Sequence, residues 1–341
     1  MRKLLNTLYI MSKNAYLHRD GENVVVSIDG KETARRPVHI LEGVVCMNYT
    51  GMSPMLMRLL ADNNISVAFI DQYGKFAARL VGRASGNVLL RRAQYRLADD
   101  ERACMPIITN MIRAKLNNSR KVLLRAARDH KDSDETYIIA AAAKKLKDML
   151  AFDADTRELL RGIEGDAARA YFSVFDGLIL HNRDDFHFNG RSRRPPMDNV
   201  NAMLSFAYTL LTHETVSALE TVGLDPYVGL FHADRPGRTG LALDIIEELR
   251  AYAADRFVLT LINRQQMTGT DFLAKEGGGV LMSEDGRKKF ISAWQSRKND
   301  IITHPFLNEK IEFGLLPYVQ SMLLARHLRG DIEGYPPFLM E

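Results

Sequence analysis

The hydrophobic pattern of the 341-residue chain changes once, near residue 88. Before that point, short runs such as VVVSI and GVVCM alternate or are continuously apolar, and Gly, Asp or Pro bounds them, as is typical of strands. Beyond it, apolar residues recur at three- and four-residue spacing almost to the end, as in helices. The pattern predicts an α+β fold in which a small N-terminal β-rich domain, residues 1–88, precedes a larger all-α domain, residues 89–341.

Two local signals predict elements inside the β-rich domain. Asp29-Gly30 separates two alternating runs, and this dipeptide favours the tight turn of a β-hairpin. Ser53 followed by Pro54 begins a stretch with helical periodicity, because serine caps helix N-termini and proline fits the first helical position. We therefore expect a hairpin centred on Asp29-Gly30 and one helix, Ser53 to Asn63, among the strands.

The second domain should consist of helices joined by short breaks. The expected features are a break near Pro106, a capping box of Asp155 and Glu158 that begins a helix to about Phe175, a helix from about Asp198 to His213, and a short helix ending near Gly223. The final residues, GDIEGYPPFLME, are rich in Gly and Pro and predict an irregular C-terminal tail.

Composition excludes several classes of protein. The chain is 46% hydrophobic and 26% charged, which is ordinary for a globular protein. No run approaches the roughly 18 uninterrupted apolar residues that cross a bilayer, and the N-terminus lacks a signal-peptide pattern, so we expect a cytoplasmic protein with no membrane partner. Cys46 and Cys104 are far apart and predict neither a disulfide framework nor a zinc ribbon.

Carboxylates at helical spacing follow a single histidine in the segment GLFHADRPGRTGLALDIIEELR. Asp244, Glu247 and Glu248 are three and four residues apart, so they lie along one side of a helix, and His232 is in the loop before it. This acidic side runs beside the apolar stripe of the helix, where carboxylates need a partner. The spacing indicates a site for a hard divalent cation such as Mg²⁺ or Mn²⁺. The alternative is an acidic patch on a surface helix that binds nothing.

Basic residues lie close to this cluster and in two other stretches. Arg238 is in the loop between His232 and the helix, and an arginine beside a carboxylate cluster suggests a phosphate-bearing substrate. The net charge of +4 is too small to indicate nucleic acid by itself. The two local runs consist of Arg113, Lys115, Arg120, Lys121, Arg125 and Arg128 in the first and of Arg191, Arg193 and Arg194 in the second. Together with a metal site they suggest contacts to phosphates, although either run alone is typical of a solvated surface.

Four motifs in a fixed order carry a resemblance that covers essentially the whole chain. They are RGIEGDAARAYF, RSRRPPMDNVNAMLSFAYTLL, GLFHADRPGRTGLALDIIEELR and ADRFVLTLINRQQM. Their succession resembles the CRISPR-associated integrase family, the catalytic subunit that inserts foreign DNA fragments as new spacers. The β-rich front end and helical remainder agree with this family. The YPPFL sequence in the tail is similar to the branch that accompanies type I-C systems.

The resemblance implies roles for individual residues. The metal ligands of the family correspond to Glu164, His232 and Glu247, with Glu247 standing where other members have an aspartate. Asp244 matches a further acidic position of the catalytic motif, either as a direct ligand or as a support for one. Glu248 is expected at the surface. Gly162 and Gly165 flank Glu164 within a helix, where each costs about 1 kcal/mol relative to alanine, and such glycines usually let another group approach closely.

The resemblance also implies an activity and partners. A metal-dependent endonuclease and integrase of this kind acts on double-stranded DNA, with a 3′-hydroxyl or water attacking a phosphodiester. Arg191, Arg193, Arg194 and Arg238 are the expected DNA-binding residues; the alternative for Arg238 is a salt bridge to Asp244 or Glu248. The β-rich domain would form a homodimer, a small CRISPR-associated protein would bridge two dimers, and an accessory processing nuclease is a further expected partner. The alternatives are a standalone structure-selective repair nuclease and a non-catalytic DNA-binding adaptor.

Overall fold

A computed structural model describes residues 6–12, 14–47, 50–70, 76–80, 82, 88–129 and 134–340. The chain divides into two compact units, Met1–Ser85 with Gln295–Asp300, and Gly86–Trp294 with Ile301–Glu341. No helix within the described ranges is both long and apolar enough to cross a membrane.

The first unit contains two four-stranded sheets. Its strands are β1 (Thr7–Ile10), β2 (Ala15–Asp20), β3 (Asn23–Ile28), β4 (Lys31–Pro37), β5 (Gly43–Met47), β6 (Gly51–Met52), β7 (Ser66–Ile70) and β8 (Phe76–Leu80). One sheet has the order β1-β5-β7-β8, with β8 antiparallel to β7 and the other pairs parallel. The other has the order β4-β3-β2-β6, with β4-β3 and β3-β2 antiparallel and β2-β6 parallel.

The two sheets and one helix share a single apolar core. Leu17 of β2, Val44 of β5 and Leu56 of α1 (Pro54–Asp62) are all buried in it. The predicted hairpin is confirmed: Asp29 and Gly30 both have positive φ, 50° and 78°, as a two-residue turn between β3 and β4 requires. The predicted helix is also confirmed, with the Ser53 hydroxyl accepting a hydrogen bond from the Leu56 amide at 3.3 Å.

The second unit is mainly helical, and the α+β prediction is confirmed. Its elements begin with α2 (Val88–Asp99), α3 (Glu101–Asp129), α4 (Asp134–Met149), α5 (Arg157–Phe172), α6 (Asn199–Val222), α7 (Gly240–Leu249) and α8 (Arg256–Asn263). They continue with β9 (Phe272–Ala274), β10 (Val280–Met282), α9 (Glu284–Lys298), β11 (Ile301–His304), β12 (Glu309–Glu312) and α10 (Leu316–Leu328). The end of α9, from Gln295 on, belongs to the first unit. The pairs β9-β10 and β11-β12 are short antiparallel ribbons, so this region is not purely α-helical as predicted.

Three predicted helix boundaries are wrong in detail. The break before α3 lies at Asp100, whose carboxylate accepts from the Ala103 amide at 3.0 Å, and Pro106 lies inside α3. Thr156, not Asp155, caps α5. The two helices expected between Asp198 and Gly223 are one continuous helix, α6, because its buried apolar residues continue without interruption along its length.

Candidate metal centre

A loop folded tightly against the start of α7 positions the histidine. Gly229 and Gly240 are in close contact: a Cβ on Gly229 would lie 2.6 Å from the His232 carbonyl oxygen, and a Cβ on Gly240 would lie 2.8 Å from the Tyr227 carbonyl oxygen. Any larger residue at either position would push the loop away from the helix. The same loop is tied to α5, since Arg161 donates to the carbonyl of Phe231 at 3.1 Å.

Asp244 is buried and fixes the orientation of His232. Its Oδ2 accepts from the amides of Leu230 and Phe231 at 2.6 and 3.0 Å, and its Oδ1 accepts from the His232 amide at 2.9 Å. The same Oδ1 lies 2.6 Å from His232 Nδ1. A carboxylate at this distance favours the tautomer with the proton on Nδ1, which leaves the Nε2 lone pair free for a ligand. The geometry supports the role of Asp244 as a positioning residue.

Glu247 and Glu164 meet at one ammonium group. Lys115 of α3 contacts the Glu164 carboxylate and lies 2.6 Å from Glu247 Oε2. His232 Nε2 is 3.9 Å from Glu247 Oε1, and Arg250 is 3.0 Å from the same oxygen. Burial opposes the ionisation of Glu247, but Arg250, Lys115 and His232 outweigh it and lower the pKa of this carboxyl well below its usual value. Glu247 is therefore an anion at neutral pH.

This donor set fits a hard divalent ion. Two carboxylates and an imidazole nitrogen face a position that already holds the Lys115 ammonium, and these are donors that Mg²⁺ and Mn²⁺ accept. As arranged around the lysine, the described residues contain no group of three or more His, Cys, Asp or Glu side chains close enough to hold an ion. The Lys115 ammonium lies between Glu164 and Glu247, at the position that an ion shared by these two carboxylates would take.

One expectation about the residues beside Glu247 is wrong: Glu248 is completely buried, not at the surface, and accepts hydrogen bonds from Tyr335, Gln320 and the Phe338 amide. The partners of Glu248 are 72 to 90 residues away in sequence, so helical spacing gave no signal for its burial. Apart from their own helix, no part of the described protein lies within 4 Å of a Cβ built on Gly162 or Gly165, so the close approach expected there does not come from this chain.

The model of the CRISPR-associated protein Cas1 family matches residues 8–296. The chain is 48% identical to CRISPR-associated endonuclease Cas1 2 of Rhodospirillum rubrum, and the match covers 99% of both chains. It is 46% identical to CRISPR-associated endonuclease Cas1 1 of Chlorobaculum tepidum, again over 99% of each. The chain belongs to the Cas1 family. The identification by resemblance is confirmed, and with it the assignment to the endonucleases; the type I-C branch stays a prediction.

Other similarities extend the family comparison. A Cas4 exonuclease/Cas1 endonuclease fusion of Geobacter sulfurreducens is 34% identical, with 97% of this chain matching 60% of the fusion. A casposase bound to its integration product has a TM-score of 0.82 at 24% identity, covering 98% of this chain and 94% of that one. A Cas6-RT-Cas1–Cas2 complex gives 0.83 at 22% identity over 98% of this chain and 36% of that one. The two structural similarities show a shared fold.

The predicted DNA-binding arginines have different surroundings in this Cas1. Arg191 is held internally, donating to Asn201 Oδ1 at 2.6 Å and to the Ser205 hydroxyl at 3.2 Å, with its guanidinium 5.2 Å from the Tyr208 ring centre. Arg193 and Arg194 are exposed. Partial burial and the nearby Arg235 lower the pKa of Arg238, and nearby Asp244 partly opposes this shift. Arg238 forms no salt bridge with Asp244 or Glu248 in the described chain.

A cavity adjoins Glu164 and is lined by residues of α3, α5 and α6. Lys115, Glu164, Arg193, Tyr208, Arg250 and Asp255 are among the residues that line it. Tyr208 donates to Asp255 at 2.6 Å, and Arg250 lies 5.3 Å from the Tyr208 ring centre. Burial raises the pKa of Asp255 to about 6, although hydrogen bonds from Tyr208 and Tyr171 oppose the shift. The cavity therefore brings three basic side chains, Lys115, Arg193 and Arg250, to the same lining as the candidate ligand Glu164.

Sequence reasoning missed two residues of this site. Arg250 follows Glu247 by three residues, so helical spacing was a usable signal for the ion pair. Lys115 had no such signal, because it comes from α3, 132 residues before Glu247, and only folding brings the two together. The sequence places Lys115 in the basic run of α3, but another member of that run, Arg113, is exposed and donates to the Phe152 carbonyl.

Proposed function

We propose that this Cas1 is a metal-dependent DNA endonuclease and integrase that inserts foreign DNA fragments as new spacers into a CRISPR array. The observation that carries the proposal is the convergence of Glu164, Glu247 and the free Nε2 side of His232 on one position for a cation. Family membership supports the reaction class. Mg²⁺ or Mn²⁺ is the proposed cofactor, because two carboxylates and one imidazole suit either ion.

A bound ion at Glu164, His232 and Glu247 would polarise the scissile phosphodiester and lower the pKa of an attacking 3′-hydroxyl or water. Other residues of the protein orient the ligands and balance charge. Asp244 holds the imidazole in the tautomer that presents Nε2. Arg250 lies against Glu247 and lines the cavity, so it balances the charge of the ligands and of a phosphate beside them.

Lys115 has two proposed positions in the reaction. Its ammonium neutralises Glu164 and Glu247, and a divalent ion is the stronger competitor for two carboxylates. Because Lys115 also lines the adjoining cavity, its displaced ammonium would remain beside the substrate phosphate. The lysine would thus neutralise Glu164 and Glu247 when no metal is bound, and it would neutralise the substrate phosphate when metal is bound.

The DNA contacts are proposed to come from the rim of this site. Arg193 lines the cavity, Arg194 is exposed next to it in sequence, and Arg238 precedes α7 in the loop of His232. These side chains are available to phosphate oxygens, whereas the Arg191 guanidinium already bonds Asn201 and Ser205. We propose that Arg191 has a structural role and packs against Tyr208 at the cavity. Arg193, Arg194 and Arg238 are proposed to bind the backbone of double-stranded DNA.

The proposed assembly is a cytoplasmic homodimer formed through the 1–88 domain, with residues 89–341 as the metal-binding catalytic domain. A self-complementary two-fold interface is the commonest oligomer geometry. A small CRISPR-associated protein bridging two dimers is supported by the similar fold in the Cas6-RT-Cas1–Cas2 complex, in which Cas1 and Cas2 occur together. An accessory processing nuclease is supported by the relative that is a fusion of Cas4 exonuclease and Cas1.

The test is a strand-transfer assay. Purified protein, with and without the small partner, receives Mn²⁺ or Mg²⁺, a short DNA with free 3′-hydroxyls and a supercoiled plasmid containing a CRISPR repeat. We expect joined product that is lost in His232→Ala and retained in His187→Ala, a control that removes an exposed imidazole. Cleavage without joining, even with the partner present, would instead indicate a standalone repair nuclease. DNA binding without turnover in the wild-type protein would indicate an adaptor.

A further inference from the structure

The irregular segment Tyr335–Met340 is buried like a bound peptide. Tyr335, Phe338 and Met340 expose only 2%, 3% and 8% of their surface, although the segment has no helix or strand. Its backbone groups therefore need partners from elsewhere. Asn118 of α3 supplies two of them, donating to the Phe338 carbonyl at 2.9 Å and accepting from the Met340 amide at 2.8 Å.

Glu248 supplies the other attachment point. Its Oε2 accepts from the Phe338 amide at 3.0 Å, and its Oε1 accepts from the Tyr335 hydroxyl and from Gln320 Nε2. No Lys or Arg forms a salt bridge with this carboxylate among the described residues. A buried carboxylate satisfied only by neutral donors costs more than an apolar side chain of similar size. Two of the donors to Glu248, the Tyr335 hydroxyl and the Phe338 amide, belong to the segment that it binds.

These attachment points are next to the metal-binding residues. Glu248 directly follows Glu247 in α7, and Asn118 lies one helical turn after Lys115 in α3. Asn118 Nδ2 also donates to the backbone carbonyl of Glu248 at 2.7 Å. One amide side chain thus joins α3, α7 and the segment. A displacement of Tyr335–Met340 would remove hydrogen bonds from Asn118 and Glu248 on the two helices that carry Lys115 and Glu247.

We propose that Tyr335–Met340 is a clamp that positions Glu247 for metal, with Tyr335, Asn118 and Glu248 as positioning residues that touch neither ion nor DNA. The inference rests on the proposed function, in which Glu247 is a metal ligand. The distance between Glu247 and Glu164 must suit one ion, and the clamp holds that distance through α3 and α7. The YPPF sequence is suited to this task because its prolines limit the backbone freedom lost on docking.

The test measures Mn²⁺ binding by paramagnetic resonance in the full chain without DNA. Tyr335→Phe deletes one hydroxyl that contacts Glu248, and we expect Mn²⁺ affinity to fall about tenfold, as for other partners that support metal ligands. Strand transfer should recover when Mn²⁺ is raised by the same factor. Tyr137→Phe makes the same chemical change on the exposed side of α4 and should leave the affinity unchanged.

A second pair of variants separates positioning from stability. Met340→Pro removes the amide that donates to Asn118 at the edge of the segment, so it tests the clamp if Tyr335→Phe does not fold. Val216→Ala in α6 lowers stability without touching the clamp, and we expect unchanged Mn²⁺ affinity. Equal Mn²⁺ affinity in the wild type and both clamp variants would overturn the clamp alone. A wild-type protein that binds no Mn²⁺ would instead overturn the proposed metal site.

Discussion

Glu247 and Glu248 are adjacent, identical and buried, yet their environments have opposite effects on ionisation. Glu247 faces Arg250, Lys115 and His232, and these neighbours outweigh burial and lower its pKa. Glu248 faces Tyr335, Gln320 and a backbone amide, and burial raises its pKa to about 7 although these donors oppose the shift. The difference teaches that the partners supplied by tertiary structure, rather than burial or residue type, decide which carboxylate can serve as an anionic ligand.

The largest expected difference between Glu247 and Glu248 is the effect of their substitution on turnover. Glu247→Gln keeps the shape and removes the anionic ligand, so we expect strand transfer to fall by more than about a hundredfold, beyond what partners of ligands usually contribute. Glu248→Gln is the matched change one residue away and should cost about tenfold or less, recoverable with added Mn²⁺. Initial rates measured across a range of Mn²⁺ concentrations provide the comparison. Equal losses at saturating Mn²⁺ would mean that Glu247 has no special role.

Lys115 tests whether its charge keeps Glu247 ionised, because it is the cation shared by Glu164 and Glu247. Lys115→Met leaves two neighbouring carboxylates without their ammonium, and breaking a largely buried ion pair costs about 3 to 5 kcal/mol of unfolding free energy, or less here because Glu164 is partly exposed. Saturating Mn²⁺ should recover more stability in this variant than in the wild type, since the ion replaces the lost charge. Chemical denaturation with and without Mn²⁺ measures both quantities.

The control for this experiment lies on the same helix. Arg125→Met removes an exposed positive charge from α3, and we expect little change in stability and the same Mn²⁺ effect as in the wild type. If Mn²⁺ stabilises Lys115→Met and the wild type equally, the lysine and the ion do not compete for the same carboxylates.

Local sequence signals predicted what nearby residues determine. Asp29-Gly30 identified its hairpin and Ser53-Pro54 its helix, because the turn and the cap depend on residues within one turn of the chain. The motif from His232 to Glu247 likewise placed Asp244 beside the imidazole. Family resemblance added Glu164, which is far from that motif in sequence.

Tertiary pairing accounts for most of the rest. Lys115 and Asn118 reach α7 from about 130 residues away, and Tyr335 reaches Glu248 across 87. No periodicity marks such contacts, so Glu248 was predicted at the surface and the tail was predicted only as irregular. The ribbons β9-β10 and β11-β12 were missed because strands of three and four residues are too short for a pattern of alternation to show.

The smallest expected effect concerns pH and stability. Because the pKa of Glu248 is raised from 4.5 to about 7 in the folded protein, its protonated form contributes stability that is complete below pH 4.5 and is lost as pH rises through 7. Glu248→Gln carries no titrating proton there. We therefore expect the unfolding free energy of the wild type to fall relative to the variant between pH 5 and pH 8, by at most about 3 kcal/mol.

The difference in unfolding free energy between the wild type and Glu248→Gln reports the titration of Glu248 alone between pH 5 and pH 8. Asp255, with a pKa raised to about 6, titrates in the same range but is present in both proteins and cancels. Glu247, with its pKa lowered, changes charge only at more acidic pH. Denaturant titrations at pH 5, 6.5 and 8 provide the measurement. A difference that stays constant over these values would mean that Glu248 is already ionised at pH 5, and the contrast with Glu247 would then lie only in the partners and not in the charge.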